Sequence, residues 1–354
     1  MAEKKQSKQK QTSADYGAEI RRLKQEGPER LYLIWGPEDY LGTSFLGTLK
    51  SVCLPEGEDG FSYRRFNGPE LDVNDLSAAI DSMPFMSERT FVELSGIDVN
   101  SMSSSADKLT EILSNIPDWC TCAFVYDSVY EIDGRLKLNK FLKTKGREIY
   151  FGRQEQQKLF NWIRKRFAAS GKTIGDEAIQ RLIYVSGDLM NSLIPEIEKI
   201  AGYARTDTVT AQDVNAVASH IPEADTFDMI KHISNGQYDK ALEIYSQLIK
   251  TKGNEPPALL AAMGYQLRRL YSAKIFRAEG KSVSDYMAAM DIKYEFIARE
   301  NMSCASRFSL NTLARSVRKC ADSEFMFKTS AADGYDLMKE LLITIILGDG
   351  VEQA

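Results

Sequence analysis

Two stretches of this 354-residue chain carry side chains whose types and spacing bear on chemistry. The first is Gly36-Pro37-Glu38-Asp39-Tyr40-Leu41-Gly42-Thr43, a glycine turn between an apolar run and a helical stretch. That is where α/β folds cradle a nucleotide phosphate. A phosphate-binding loop reads G-x-x-x-x-G-K-S/T, because its lysine reaches the terminal phosphates and its hydroxyl holds magnesium. Here no lysine precedes Thr43, and Glu38 and Asp39 bring negative charge to the place a phosphate would take. The companion feature, an acidic residue after an apolar strand, is reduced to Asp127-Ser128 behind Cys122-Ala123-Phe124-Val125-Tyr126, without the glutamate that would position a water. This is the layout of an ATPase without its catalytic groups, so neither ATP hydrolysis nor a bound cofactor is expected. The two histidines, His220 and His232, have no catalytic partner nearby in sequence.

The second stretch is Ser82-Met83-Pro84-Phe85-Met86-Ser87-Glu88-Arg89, which separates a helical pattern from the strand-like Thr90-Phe91-Val92-Glu93-Leu94. A loop between a helix and a strand normally lies at the surface. An apolar pair there either plugs the end of a sheet or serves as an anchor for a partner's pocket. The residues alone leave both readings open.

Further charged groups invite weaker readings. Arg268, Arg269, Lys274 and Arg277 form one basic stretch and Arg315, Arg318 and Lys319 another. Either could meet DNA phosphates, or form a solvated or intersubunit face, and neither has the interleaved aromatics of a single-strand platform. Arg181 and Lys199 read either as nucleotide sensors or as solvated helix charges. A net charge of −5 gives no global basic field. The five cysteines, at 53, 120, 122, 304 and 320, fit neither a zinc module nor a disulfide framework. No apolar run is long enough to cross a bilayer, and the charged N-terminus has no signal core. A reduced, cytoplasmic protein is expected.

These groups must be positioned by elements of two kinds. From Leu31 to Phe151, apolar strand-like runs alternate with helical stretches, which implies a parallel sheet covered on both faces. The strands are expected near 30–35, 61–66, 90–94, 121–126 and 148–151, and the helices near 16–24, 40–51, 73–80, 106–115 and 136–144. After Phe151 the pattern turns wholly helical. A small unit with helices at 154–169, 176–185, about 187–203 and 211–218 precedes a larger bundle. The bundle's longest helix, 258–278, carries Leu259, Leu260, Met263, Leu267, Leu270, Tyr271 and Ile275 on one face. The fold class is α/β plus all-α. The expected divisions are 1–28, a largely disordered extension; 29–152, the α/β domain; 153–221, a small helical domain; and 222–354, a helical domain.

Several stretches together resemble the delta subunit of the bacterial DNA polymerase III clamp loader. They are Leu31-Tyr32-Leu33-Ile34-Trp35-Gly36-Pro37-Glu38-Asp39-Tyr40-Leu41, Met83-Pro84-Phe85-Met86-Ser87-Glu88-Arg89, Asp133-Gly134-Arg135, Gly187-Asp188-Leu189, Glu196-Ile197-Glu198-Lys199-Ile200 and Gln266-Leu267-Arg268-Arg269-Leu270. The resemblance covers about residues 29 to 348 and rests on the order and spacing of these motifs. It implies a degenerate AAA+-like first domain, a lid-like second and a collar third. It also implies a non-catalytic subunit that binds the sliding clamp (beta) and helps open it. The clamp-binding residues would be Met83, Pro84, Phe85, Met86 and Arg89, with methionine at 86 where the family more usually has an aromatic or leucine. The implied partners are the ATPase and delta-prime subunits, and primer-template DNA through the complex. Arg268, Arg269 and Lys274 are candidates for DNA or partner contact. A delta-prime-like subunit or an inactive scaffold in DNA repair is the alternative; delta-prime chains typically carry a cysteine zinc module, which this spacing lacks.

Overall fold

The computed structural model describes residues 12–54, 62–67, 71–85, 87–96, 100, 102, 105–126, 132–251, 255–330 and 332–348. Met86 and Asp127-Ser128, singled out above, lie outside the described residues. The chain separates into two compact units. One comprises Met1–Gln154 with Leu189–Asn191, and the other Glu155–Asp188 with Ser192–Ala354.

The first unit is built on a parallel five-stranded sheet. Its strands are β1 (Leu31–Trp35), β2 (Tyr63–Asn67), β3 (Thr90–Ser95), β4 (Cys120–Val125) and β5 (Arg147–Tyr150), in the order β2-β3-β4-β1-β5. Leu33 lies against Phe124 and Glu148, and Val92 against Arg64 and Cys122. Parallel neighbours need crossovers, supplied by α2 (Asp39–Cys53), α3 (Val73–Asp81), α4 (Ala106–Ser114) and α5 (Lys137–Lys145). On one face Leu33, Val92, Leu94, Cys122 and Phe124 join Leu76, Leu109 and Leu142 of α3, α4 and α5 in a single apolar core. On the other, Tyr32 and Phe151 meet Phe45 of α2 with ring centroids 6.1 and 6.2 Å apart. Burial on both faces accounts for the near-continuous apolar runs of β1 and β4.

The edges are managed differently. β2, with sequence YRRFN, is largely exposed and carries two arginines, which discourage edge pairing. Beside β5, the segment before α1 (Tyr16–Glu26) comes close enough for the Ala14 N–H to donate to the Tyr150 carbonyl at 2.8 Å, and Glu19 pairs with Arg147 at 2.7 Å. The stretch expected as an N-terminal extension is thus helical over 16–26 and built into the first unit.

The second unit opens with α6 (Gln156–Ala169), α7 (Asp176–Ser186), α8 (Met190–Tyr203) and α9 (Ala211–Val217). It is not wholly helical as expected: β6 (Thr173–Ile174) and β7 (Thr208–Val209) form a two-stranded parallel ladder. A bundle follows, of α10 (Pro222–Ser234), α11 (Tyr238–Lys250), α12 (Pro256–Ala278), α13 (Val283–Ala289), α14 (Glu295–Ser306), α15 (Leu310–Thr329) and α16 (Gly334–Leu347). Leu259, Leu260, Met263, Leu267 and Leu270 of α12 are all buried in its core. The α6–α9 part is bolted to the bundle by polar contacts: Arg181 and Tyr184 each reach Asp228 at 3.1 Å, and Tyr294 donates to buried Asp188 at 3.0 Å. No helix of the described residues is long and apolar enough to cross a membrane.

Candidate functional site

A parallel sheet places every strand's start at one end and every strand's finish at the other. The loop at 36–43 leaves β1 at the C-terminal end, whereas the loop at 82–89 enters β3 at the N-terminal end. The two candidate stretches therefore occupy opposite ends of the sheet.

At the C-terminal end, where open α/β sheets bind ligands, a cleft of about 280 Å³ is lined by Trp35, Gly36, Glu38, Asp39, Thr43 and Arg65, among others. Gly36 adopts φ +125, and a Cβ there would lie 2.4 Å from the Phe151 carbonyl oxygen, so only glycine fits this turn. Glu38 is 1% exposed, and its Oε1 accepts the Met190 backbone N–H at 2.9 Å. Arg65 is drawn to Glu93 at 3.0 Å, whose other oxygen accepts from the Tyr63 hydroxyl at 2.7 Å. A triphosphate needs donors and a lysine; this turn presents carboxylates and its nearest guanidinium is already paired. The residues do not fit a nucleotide.

At the N-terminal end, α3 is capped by Asp72, whose carboxylate accepts from the Asn74 N–H at 2.7 Å. The helix buries Leu76 and Ile80 and stops at Ser82, which is extended at φ −62, ψ 127. Pro84 lacks a backbone donor and biases its predecessor away from helix, so the chain cannot resume one. The next apolar side chains face water: Met83 is 75% exposed and Phe85 64% exposed, with Pro84 half-buried. Phe85 does not plug the sheet, whereas Ile80 and Ile116 are buried in the core. Two large apolar side chains thus stand exposed on either side of Pro84.

The loop's backbone is held in place. Ser62 Oγ–H donates to Ser87 Oγ at 2.5 Å, Ser87 in turn donates to the Arg89 carbonyl at 2.9 Å, and the Phe85 carbonyl lies 3.5 Å from Ser62 Oγ. From the other side Trp119 Nε1–H donates to the Ser82 carbonyl at 3.3 Å. Arg89 is half-buried, and its Nη1 is buried without a hydrogen-bond partner among the described residues. Its charge lies near Cys53 and Cys120 and opposes the effect of burial, which still raises both thiols, Cys53 to about 11. Ser62 and Trp119 were invisible to motif reading, because their roles follow from strand register across 25 and 37 positions.

The other singled-out charges are dispersed. At about 100° per residue, Arg268, Arg269 and Lys274 lie on three different sides of α12. Arg268 sits beside Gly264, toward Cys320 of α15. Arg269 stacks over the Tyr265 ring at 4.3 Å, and Lys274 donates to the Ser306 carbonyl at 3.2 Å. Arg181 is committed to Asp228 and Asn215, and Lys199 to Glu196 and Ser219.

Residues 32–151 match the family described as DNA polymerase III, delta subunit, and residues 223–345 match the DNA polymerase III delta subunit, C-terminal domain. The DNA polymerase III subunit delta of Bacillus subtilis is 23% identical over 332 residues, covering 92% of this chain and 94% of that protein. The probable DNA polymerase III subunit delta of Aquifex aeolicus is 21% identical over 327 residues, covering 89% of this chain and 90% of that one. In fold, the chain is similar to the Bacillus subtilis DNA clamp loader delta protein, with TM-score 0.53, 20% identity, and coverage of 94% and 99% of the two chains.

Proposed function

The chain belongs to the family of DNA polymerase III delta subunits, which are clamp-loader subunits, and we propose that in such a complex it grips the ring-shaped sliding clamp and favours the ring's open form. The observation that carries this reading is the outward display of Met83 and Phe85 on a loop held at Ser82 by Trp119 and at Ser87 by Ser62. Met86 and Arg89 complete the proposed contact. Two apolar anchors entering a pocket supply most of the affinity, and methionine adapts to an apolar pocket.

The action is mechanical. A binder shifts a ring between closed and open only by its difference in affinity for the two, so the anchors must meet the clamp better when the ring is sprung. ATP is bound and hydrolysed by partner subunits in this reading, because Glu38 and Asp39 stand where phosphate would lie and no lysine precedes Thr43. The helical unit from Pro222 onward joins the ATPase and delta-prime subunits, and primer-template DNA is met through the assembled complex. Its place is the cytoplasm, where the five buried free thiols remain reduced.

The test is ring opening without nucleotide. With the clamp closed around circular DNA, the added chain is expected to release clamp in the absence of ATP, and Phe85→Ala to release far less. Clamp that stays on the circle under saturating chain contradicts the opening role.

A further inference from the structure

β3, the strand the loop enters, is flanked in the sheet by β2 and β4. Ser62 and Trp119 stand immediately before β2 and β4 respectively, so one brackets the loop from each side. The same two residues register the strand itself: the Thr90 N–H donates to the Trp119 carbonyl and the Phe91 N–H to the Ser62 carbonyl, both at 2.8 Å. Their side chains then reach back along the loop, the Trp119 indole N–H to the Ser82 carbonyl and the Ser62 hydroxyl to Ser87 Oγ. The anchored residues Ser82 and Ser87 stand on either side of Met83 and Phe85 in the chain, and Pro84 fixes its own φ between those two.

We propose that Ser62 and Trp119 are positioning residues that hold Met83 and Phe85 outward before a partner arrives; this rests on the clamp-binding reading above. Untethered, two apolar side chains at the margin of a core would fold onto nearby apolar surface to leave water. A loop free to move would also lose more entropy on docking. The tethers themselves are rigid. Ser62 is 2% exposed, and the Trp119 ring packs against the core formed by β3, β4 and α3–α5, so its N–H has little freedom to turn away. Neither side chain needs to touch the partner for its loss to weaken binding.

The test compares the full-length chain with Ser62→Ala, Trp119→Phe, Phe85→Ala and each tether variant combined with Phe85→Ala. Three quantities are measured: affinity for the sliding clamp from the same cell, melting temperature, and amide exchange across 82–89. Trp119→Phe keeps an aromatic ring and removes only the donor. Each tether variant is expected to weaken clamp binding about five- to tenfold, to speed exchange in the loop, and to melt near the parent. On the Phe85→Ala background each is expected to cost less than in the parent, because part of its effect runs through that side chain. If Phe85→Ala binds weakly while the tether variants bind and exchange like the parent, the positioning role is overturned and the clamp reading stands. Fully additive losses on the Phe85→Ala background also overturn it. If Phe85→Ala binds like the parent, the clamp reading itself fails.

Discussion

The Met190 backbone N–H donates to Glu38 Oε1 at 2.9 Å, and the carboxylate that receives it is buried at the turn after β1. Both residues belong to the first unit, so the bond ties the turn after β1 to the Leu189–Asn191 segment.

Removing that carboxylate strands a donor. Glu38→Ala is expected to destabilise the folded chain by about 1–3 kcal/mol, seen as a lower urea midpoint, while Glu38→Gln retains part of the loss because its amide oxygen still accepts. Magnesium-ATP added to the parent is expected to leave the melting temperature unmoved. A clear upward shift would show that the cleft takes nucleotide after all.

Tyr294→Phe probes the join between the α6–α9 part and the bundle. Its hydroxyl donates to Asp188, both residues being buried. Loss of this charge-assisted bond is expected to cost about 1.5–3 kcal/mol. Because the chain has two units, calorimetry should place the loss in one component of the melting curve and leave the other in place. Equal shifts in both components would contradict this assignment.

Burial raises the thiols of Cys53, Cys304 and Cys320 from 9.0 to about 11, and the phenols of Tyr32 and Tyr286 from 10.0 to about 12. A raised acid keeps its proton when folded and releases it sooner when unfolded. The stabilisation these groups give is therefore whole below pH 9 and is lost as pH climbs through 9 to about 11 for the thiols, the phenols following toward 12. Urea midpoints measured from pH 8 upward are expected to fall across that window, and Cys304→Ala to flatten the fall. A midpoint constant to the top of the window would contradict the burial of these groups.

Much of this architecture is legible in the sequence. The five strands of the sheet stand out because β1 and β4 are buried on both faces and read as continuous apolar runs, and because proline and glycine punctuate the crossovers. The β6–β7 ladder does not stand out: two residues such as Thr173-Ile174 are too short to show a period. Helix α10 opens at Pro222, where proline at the first position starts a helix without an apolar cue. The loop at 82–89 is visible as an oddity, an apolar pair beside a proline, but its direction is not. The groups that hold the loop, Ser62 and Trp119, meet it only once the strands are in register. The basic residues of α12 cluster in sequence but spread around the helix.

The central claim is that this chain holds the sliding clamp through the loop before β3. The direct measurement is the equilibrium affinity of the intact chain for the clamp from the same cell, set beside that of Phe85→Ala/Met86→Ala. Burying two such side chains is worth roughly 3–6 kcal/mol in transfer terms, so the account predicts tight binding by the parent and a loss of at least about a hundredfold in the double variant. Equal binding by the two proteins would contradict it.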